Sequence, residues 1–231
     1  MTTQAGSASS DLAELDKLLN VDGLRLVDAG CGSMRFSRAL ANRGAQVLAI
    51  DPDPIQAKLN RDLPAEPNIE FVETGADALP SDDASVDGIL FSYSLHHVPM
   101  DLYRKVFTEA VRVLKPDGFF CTMEPVAEGE LNEVMSLFHD EKQVRADAQL
   151  ALNTLGKTMF SETQVVEYFN VIQFRGWDEF ADHYVKSSYN TNYSVEDVRD
   201  SKVEALFEQR GKPLGYRFEC PMKITCLKNP A

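Results

Sequence analysis

Three residues between positions 30 and 51 have the types and the spacing expected of a nucleoside-binding site. They lie in the stretch LRLVDAGCGSMRFSRALANRGAQVLAID, which runs from Leu24 to Asp51. Gly30 and Gly32 follow a short apolar segment, and glycine allows the backbone to adopt positive φ angles and to approach a ligand closely. Asp51 ends a second apolar segment, where a carboxylate can accept hydrogen bonds from both hydroxyls of a ribose. The stretch therefore predicts binding of a ligand that contains a nucleoside.

The elements that would position these residues form a strand–helix–strand unit. Residues 24–27 and 47–50 are short apolar runs typical of buried strands, and Phe36, Ala39 and Leu40 recur between them at helical spacing. A dinucleotide-binding turn would need a glycine at position 35, which is an arginine here, and the sequence contains no GxxxxGK[ST] phosphate loop. The dinucleotide fingerprint therefore fails at its third glycine.

The same alternation of strands and helices continues towards the C-terminus. Ile69–Glu73 and the almost wholly apolar Val86–Tyr93 read as a third and a fourth strand, the latter buried on both faces. A helix is predicted over Asp101–Lys115, followed by a fifth strand that ends at Met123-Glu124-Pro125, and Tyr216–Leu227 reads as the last strand. The pattern favours an α/β fold with a mainly parallel sheet.

Several of these segments resemble motifs of a known family. The segment DAGCGSM, residues 28–34, resembles motif I of the class I S-adenosylmethionine (SAM) dependent methyltransferases, in which an acid ends the first strand and GxGxG follows. Met34 stands where the family usually has its last glycine. The segments SLHHV and RVLKPDG are similar to those of the small-molecule methyltransferases, and Asp117 is a departure from the usual RVLKPGG. The resemblance covers roughly residues 10–125.

The resemblance implies both a fold and an activity. The fold would be α/β, with a seven-stranded, mainly parallel, doubly wound (Rossmann-like) methyltransferase sheet whose last strand is antiparallel, and with helical cap insertions. The activity would be transfer of the SAM methyl group to a small-molecule acceptor, with release of S-adenosyl-L-homocysteine (SAH). Whether the acceptor atom is oxygen, nitrogen, sulfur or carbon stays open.

The matched motifs also imply which residues bind the cofactor. Asp28, Gly30 and Gly32 would hold the methionine end of SAM, Asp51 the ribose, and Asp77 the adenine amino group. The full set of expected cofactor-binding residues is Asp28, Gly30, Gly32, Asp51, Pro52, Asp77, Ala78, Ser92 and Ser94.

Candidates for acid–base chemistry follow the fourth and fifth predicted strands. A general base is needed only where the acceptor is a hydroxyl or a protonated amine. His97 is the preferred candidate for that base, and Glu124 is the second. The expected substrate pocket contains Tyr93, His96, Trp177 and Tyr184. No metal site is predicted, because the acids of DPD at 51–53 read as the ribose-binding residue and the start of a helix at a proline.

The chain is predicted to form one domain, residues 11–231, behind a flexible tail, residues 1–10. Helical segments within 126–160 and 177–210 exceed what the sheet requires, and we expect them to cap the carboxyl ends of the strands and to build the substrate pocket. An opening helix is predicted from Asp11, with Asp11 and Glu14 as a capping box.

A second capping box is predicted near position 160. Ser161 and Gln164 have its spacing, before Val165, Val166 and Phe169 as a helical face, and a short sixth strand would follow at Val171–Phe174.

Charge and composition narrow the classes of partner. The net charge of −13, without a run of Lys or Arg, would repel a nucleic-acid backbone and an anionic membrane surface. Four scattered cysteines without a CxxC pair are typical of a reducing compartment. We therefore expect a cytoplasmic protein that acts on a small molecule. The sequence does not decide between a monomer and a homodimer.

Two other functions stay open at this point. A SAM-binding regulatory or scaffold protein without methyl transfer is one, and Met34 in place of glycine is its best support. A nucleotide-dependent oxidoreductase is the other: Asp51 permits it, whereas Arg35 and the matched Asp77 oppose it.

Overall fold

The computed structural model describes residues 8–186 and 192–230, and a seven-stranded sheet lies at its centre. The strands are β1 (Arg25–Ala29), β2 (Gln46–Ile50), β3 (Ile69–Val72), β4 (Val86–Ser92), β5 (Leu114–Pro125), β6 (Phe160–Gln173) and β7 (Arg217–Pro230). Their order across the sheet is β3-β2-β1-β4-β5-β7-β6. The first five strands are parallel, and β7 is antiparallel to both of its neighbours. The predicted fold class, including the antiparallel last strand, is confirmed.

Helices connect the strands and cover both faces of the sheet. They are α1 (Ala8–Asp16), α2 (Arg35–Ala41), α3 (Pro54–Arg61), α4 (Tyr103–Val113), α5 (Glu130–Met135), α6 (Lys142–Ala151), α7 (Lys157–Met159), α8 (Trp177–Val185), α9 (Val195–Val198) and α10 (Ser201–Gly211). A π-helical turn joins α6 to α7, and short 3₁₀ turns lie at Leu95–His97, Met100–Leu102 and Lys212–Leu214. Among the described residues, no helix is both long and apolar enough to cross a membrane.

The apolar strands hold the fold together because they are buried on both faces. One core cluster packs β4 and β5 against α4 and α6, with Phe91, Phe107 and Phe120 almost fully buried. A second cluster packs α1 and α2 against the other face, around Leu15 and Leu40. This arrangement fixes the carboxyl ends of the parallel strands at one edge, where ligands bind in open α/β sheets.

The cap helices have an apolar core of their own. Phe180 of α8, Phe207 of α10 and Phe218 of β7 are fully buried together with Leu131 and Val134 of α5. The segment 126–160 contains α5 to α7, and the segment 177–210 contains α8, α9 and most of α10, with residues 187–191 outside the described part of the chain. The extra helices therefore form a packed layer beside β7 and β6, the last two strands in the order of the sheet.

The helix predicted after Ser161 is wrong. Residues 160–173 form the long strand β6, which pairs with β7 from Phe160 opposite Pro230 to Gln173 opposite Arg217. The β-branched residues Val165, Val166 and Val171 suit a strand at the edge of a sheet, and pairing along its whole length outweighs a local helix-capping pattern.

The start of the first helix also differs from the prediction. The helix begins at Ala8, three residues inside the segment 1–10 predicted as a tail, while residues 1–7 lie outside the described part of the chain. Asp11 therefore lies within the helix and not at its N-cap. Its carboxylate is 4% exposed and accepts hydrogen bonds from Tyr168 Oη and Asn170 Nδ2, both at 2.6 Å, so it joins α1 to β6 and does not form the predicted capping box.

Candidate active site

A cavity of about 870 Å³ lies at the carboxyl edge of the parallel strands. One part of its wall comes from the ends of β1, β2 and β4 and from the turns that follow them. The other part comes from α5, α8 and the carboxyl end of β6. The cavity therefore brings the predicted cofactor-binding residues and the cap helices to one place.

The turn after β1 depends on glycine at position 30. Gly30 has a φ of +69°, and a Cβ atom at this position would lie 2.5 Å from Ser94 Cβ. Ser94 is fixed in turn, since its hydroxyl donates to Ala29 O at 2.6 Å. The turn can therefore approach the end of β4 only where the residue has no side chain.

We expect Gly30→Ala to lower the free energy of unfolding by about 2–4 kcal/mol, the sum of a left-handed backbone penalty and overpacking. Gly215→Ala is the matched control, because Gly215 has a similar φ of +61° and no atom within 4 Å of the added Cβ. The control should lose only about 1 kcal/mol. Urea unfolding of both variants measures the difference, and equal losses would contradict a steric requirement at Gly30.

Asp51 follows β2 and is held by two backbone amides. Its Oδ2 accepts from Gly32 N at 2.8 Å and its Oδ1 from Asp53 N at 2.9 Å, and the residue is 7% exposed. Burial raises the pKa of this carboxyl, although the two amides oppose the shift. Each oxygen keeps a free lone pair for another donor. Gly32 itself does not line the cavity, and its amide orients the carboxylate of Asp51.

Asp28 ends β1 and is more deeply buried than Asp51. It is 1% exposed, and its Oδ2 accepts from Ser37 Oγ at 2.5 Å. Its Oδ1 has no hydrogen-bond partner among the described residues. Burial raises the pKa of Asp28 to about 7, against the Ser37 hydrogen bond, and the charge of Asp51 adds to the shift. A buried carboxylate oxygen without a donor, in a residue that lines the cavity, is suited to a cationic ligand group.

The structure places most of the other expected cofactor-binding residues on the wall of the cavity. Those that line it are Pro52, Asp77, Ser92 and Ser94. Asp77 Oδ2 also accepts from Lys105 Nζ at 2.8 Å. Ala78 does not line the cavity; its amide donates to Gly75 O in the turn that presents Asp77.

Met34 lies apart from the cavity wall. It has a left-handed φ of +58° and packs with Cys31 and Ala49 in a small apolar cluster, where it is 6% exposed. Met34 is not among the residues that line the cavity. Its side chain therefore leaves the space beside Asp28 open.

The hydroxyl of Tyr93 belongs to a polar network that includes the buried residues Asp11 and Asn170. Its hydroxyl donates to Asp11 Oδ2 at 3.1 Å and accepts from Asn170 Nδ2 at 2.6 Å. Asn170 is 1% exposed, lines the cavity, and its Oδ1 lacks a partner within the described ranges. Burial raises the pKa of Asp11, although its donors Tyr168, Asn170 and Tyr93 oppose the shift. The network closes α1 over the cavity and offers one free acceptor atom.

His96 lines the cavity and forms a buried pair with Glu124, which lies behind the cavity wall. His96 Nδ1 binds Glu124 Oε2, and Glu124 Oε1 accepts from Leu95 N at 2.8 Å. Burial alone would lower the pKa of His96, but Glu124 and Glu141 raise it to about 9. Glu124 is 2% exposed and does not line the cavity, so the predicted second base has no access to an acceptor there. It orients His96 instead.

His97 lines the cavity next to two residues that sequence reasoning missed. His97 has 56% of its side chain exposed, and its Nε2 lies 3.9 Å from Glu141 Oε1. His139 Nε2 lies 2.8 Å from the same oxygen. Both His139 and Glu141 line the cavity, although their segment carries no recognisable motif. Only the docking of α6 on the end of β4 brings them to the histidine pair.

Two aromatic residues of the predicted substrate pocket, Tyr184 and Trp177, occupy different environments. Tyr184 lines the cavity, and its hydroxyl lies 3.1 Å from Met135 Sδ. Trp177 does not line it; its ring stacks on Phe180 at a centroid distance of 5.5 Å, within the core of the cap. Tyr184 can therefore contact a ligand, whereas Trp177 supports the helix that carries it.

Comparison with known proteins shows which domain and which fold this chain resembles. Residues 27–122 match the family model described as a methyltransferase domain. A putative methyltransferase from an antibiotic biosynthesis pathway of Anabaena variabilis has the same fold, with a TM-score of 0.65 over 97% of this chain and 99% of that chain, at 16% identity.

Curated relatives agree with this class. The chain is 38% identical over 99 residues to a demethylmenaquinone methyltransferase of Clavibacter sepedonicus, covering 42% of this chain and 40% of that protein. It is 30% identical over 162 residues to a ubiquinone/menaquinone biosynthesis C-methyltransferase of Brucella abortus, covering 67% and 57%. The chain thus spans about half the length of the curated relatives it matches. Residues 27–122 thus match a methyltransferase domain, and the chain has the fold of a protein described as a putative methyltransferase.

Proposed function

We propose that the protein binds SAM in the 870 Å³ cavity and transfers its methyl group to a small-molecule acceptor, releasing SAH. One observation carries this proposal: two buried carboxylates, Asp28 and Asp51, flank the glycine turn at the ends of adjacent parallel strands. Asp28 offers an oxygen without a donor, and Asp51 offers two oxygens that backbone amides already orient.

The residues present fit SAM as follows. The α-ammonium group of the methionine end would occupy the free oxygen of Asp28, and the ribose hydroxyls would donate to Asp51. Asp77 would accept from the adenine amino group, and Gly30 would allow the chain to pass close to the ligand. When bound, SAM supplies an activated methyl group on a sulfonium. The protein's own contribution is then to hold both reactants in line and to exclude water, and α1 and the cap helices cover the site for that purpose.

The acceptor side of the cavity favours a compact, mainly apolar molecule. Leu131, Met135, Ile172 and Met222 line it with Tyr184, and the polar groups there include the amide of Asn170. A polar donor on the acceptor could bind the unpartnered oxygen of Asn170, while the apolar residues enclose its body. The net charge of −13 supports a small molecule over a nucleic acid. The four unpaired cysteines support a cytoplasmic location.

Calorimetric titration with SAM, SAH and NAD tests the proposal directly. We expect both sulfur ligands to bind at one site per chain and NAD not to bind. Methyl transfer is then measured from radiolabelled SAM over a panel of hydroxy-, amino- and thiol-containing aromatic and isoprenoid acceptors. Binding of SAM without transfer to any member would favour the regulatory protein, and preference for NAD would favour the oxidoreductase.

Tyr184→Ala should affect substrate binding, whereas Trp177→Ala should affect the stability of the cap helices. We expect Tyr184→Ala to raise the acceptor KM several-fold with an unchanged Kd for SAM, because its ring lines the cavity. Trp177→Ala should lower the free energy of unfolding by about 2 kcal/mol, since it removes a ring stacked on Phe180. Steady-state kinetics and urea unfolding of both variants measure the contrast. A large KM effect of Trp177→Ala in a stably folded protein would contradict this division.

A further inference from the structure

Three imidazole rings converge on one carboxylate oxygen at the junction of two cavities. The Nε2 atoms of His96, His97 and His139 lie 3.5, 3.9 and 2.8 Å from Glu141 Oε1. All four residues line the large cavity and also an adjoining one of about 410 Å³. The group therefore faces space on two sides.

The ligand-type atoms of His96, His97 and Glu141 have the spacing of a metal site. They all lie within 4.8 Å of one another. In a tetrahedral zinc site with bonds of about 2.0–2.1 Å, neighbouring ligand atoms are about 3.3 Å apart. The distances of 3.5 and 3.9 Å from Glu141 Oε1 to the two imidazoles exceed that value by less than 1 Å. A shift of the exposed His97 ring would be enough to close the site.

The surrounding residues orient these groups as outer residues do in metal sites. Glu124 binds His96 Nδ1, which turns Nε2 of the same ring towards Glu141. Arg145 donates to Glu141 Oε2 at 2.5 Å, and His139 lies on the other oxygen. Carboxylates that fix a ligating histidine, and donors that fix a ligating carboxylate, are the usual supports of protein metal sites. None of these contacts is required by the cofactor site.

We propose that His96, His97 and Glu141 bind a divalent transition-metal ion, of the class of Zn²⁺, Fe²⁺ or Co²⁺, with Glu124, His139 and Arg145 as orienting residues. Two imidazoles and one carboxylate favour these ions over Mg²⁺ and Ca²⁺, which prefer oxygen ligands. The proton on His96 Nε2 leaves for solvent as the ion enters, because a ligating imidazole is neutral. Three protein ligands leave a coordination position open.

The open position gives the ion a use in the proposed reaction. The ion would lower the pKa of a hydroxyl or thiol acceptor bound there, so that the acceptor could release its proton to solvent without His97 acting as a base. This use depends on the proposed methyl transfer, whereas binding of the ion does not. Metal binding and SAM binding are therefore measured separately.

The test is titration of the metal-free protein with Zn²⁺, together with Co²⁺ absorption spectroscopy. We expect one ion per chain and the strong visible bands of low-coordinate Co²⁺. His97→Ala should weaken Zn²⁺ binding at least 10-fold, and Glu124→Gln should weaken it about 10- to 100-fold although Glu124 touches no ion. His183→Ala is the matched control, since His183 lines the same cavity outside the cluster and should retain the affinity of the wild type.

SAM binding, measured on each variant, reports whether the fold and the cofactor site are intact. Equal Zn²⁺ affinity of wild type, His97→Ala and His183→Ala would overturn the proposal, as would absence of any one-to-one complex. Loss of turnover in His97→Ala with no metal bound to the wild type would also overturn it and would assign His97 as the base. Failure of SAM to bind the wild type would instead reject the proposed function.

Discussion

Replacement of Asp51 by alanine should abolish measurable binding of SAM and SAH. The carboxylate is already aligned by the amides of Gly32 and Asp53, so a ribose would meet two fixed acceptors without further ordering. A hydrogen bond to a charged group contributes about 1.5–3 kcal/mol, and loss of two such bonds should raise the Kd at least 100-fold. Calorimetry with both ligands measures the effect.

Two further variants separate this effect from general changes. Glu70→Ala removes an exposed acid of β3 in the same sheet and should leave the Kd for SAM unchanged. Asp51→Asn keeps one acceptor oxygen and should give an intermediate Kd. Retained SAM affinity in Asp51→Ala would show that the ribose lies elsewhere, and the assignment of the whole cofactor end would fail with it.

The residues at the strand ends could be predicted from sequence because local pattern determines their position. An apolar run followed by glycine, or by an acid, places Gly30 and Asp51 at the carboxyl ends of parallel strands, and those ends share one edge. Both residues lie on the wall of the same cavity. The position of such residues depends on one strand and its turn, so a local sequence pattern can predict it.

The acceptor side could not be predicted because its residues meet only through tertiary packing. His139 and Glu141 precede α6, and their contact with His96 requires α6 to dock against the turn after β4. No periodicity or motif in the segment reports that docking. The Ser161–Gln164 pattern shows the same limit. It reports a local preference for helix capping, whereas the pairing of β6 with β7 joins segments that are far apart in the sequence.

We expect the buried carboxylate of Asp28 to destabilise the unliganded protein at neutral pH. A folded-state pKa of about 7, against 3.8 for the free side chain, means that the folded protein holds a proton that the unfolded chain releases. Stability therefore falls as the pH rises from about 4 to 7 and levels off above it. A shift of this size corresponds to roughly 4 kcal/mol at most.

Asp28→Asn should remove this destabilisation and weaken the binding of SAM. The amide can still accept from Ser37, and it carries no charge to desolvate. At pH 8 we expect a gain of about 2 kcal/mol, or a Tm rise of about 4–8 °C, that shrinks towards pH 4. The Kd for SAM should rise about 10- to 100-fold, because the ammonium group loses its anionic partner.

Thermal unfolding from pH 4 to pH 8, with and without SAM, measures both effects in one series. Ser37→Ala is the informative companion, because it removes the hydrogen bond to Asp28 Oδ2 and leaves the charge. It should lower the stability of the unliganded protein where Asp28→Asn raises it. A variant Asp28→Asn that is no more stable than the wild type at pH 8 would show that the carboxylate is already compensated without the ligand. Asp28 would then provide a charged binding group without lowering the stability of the unliganded protein.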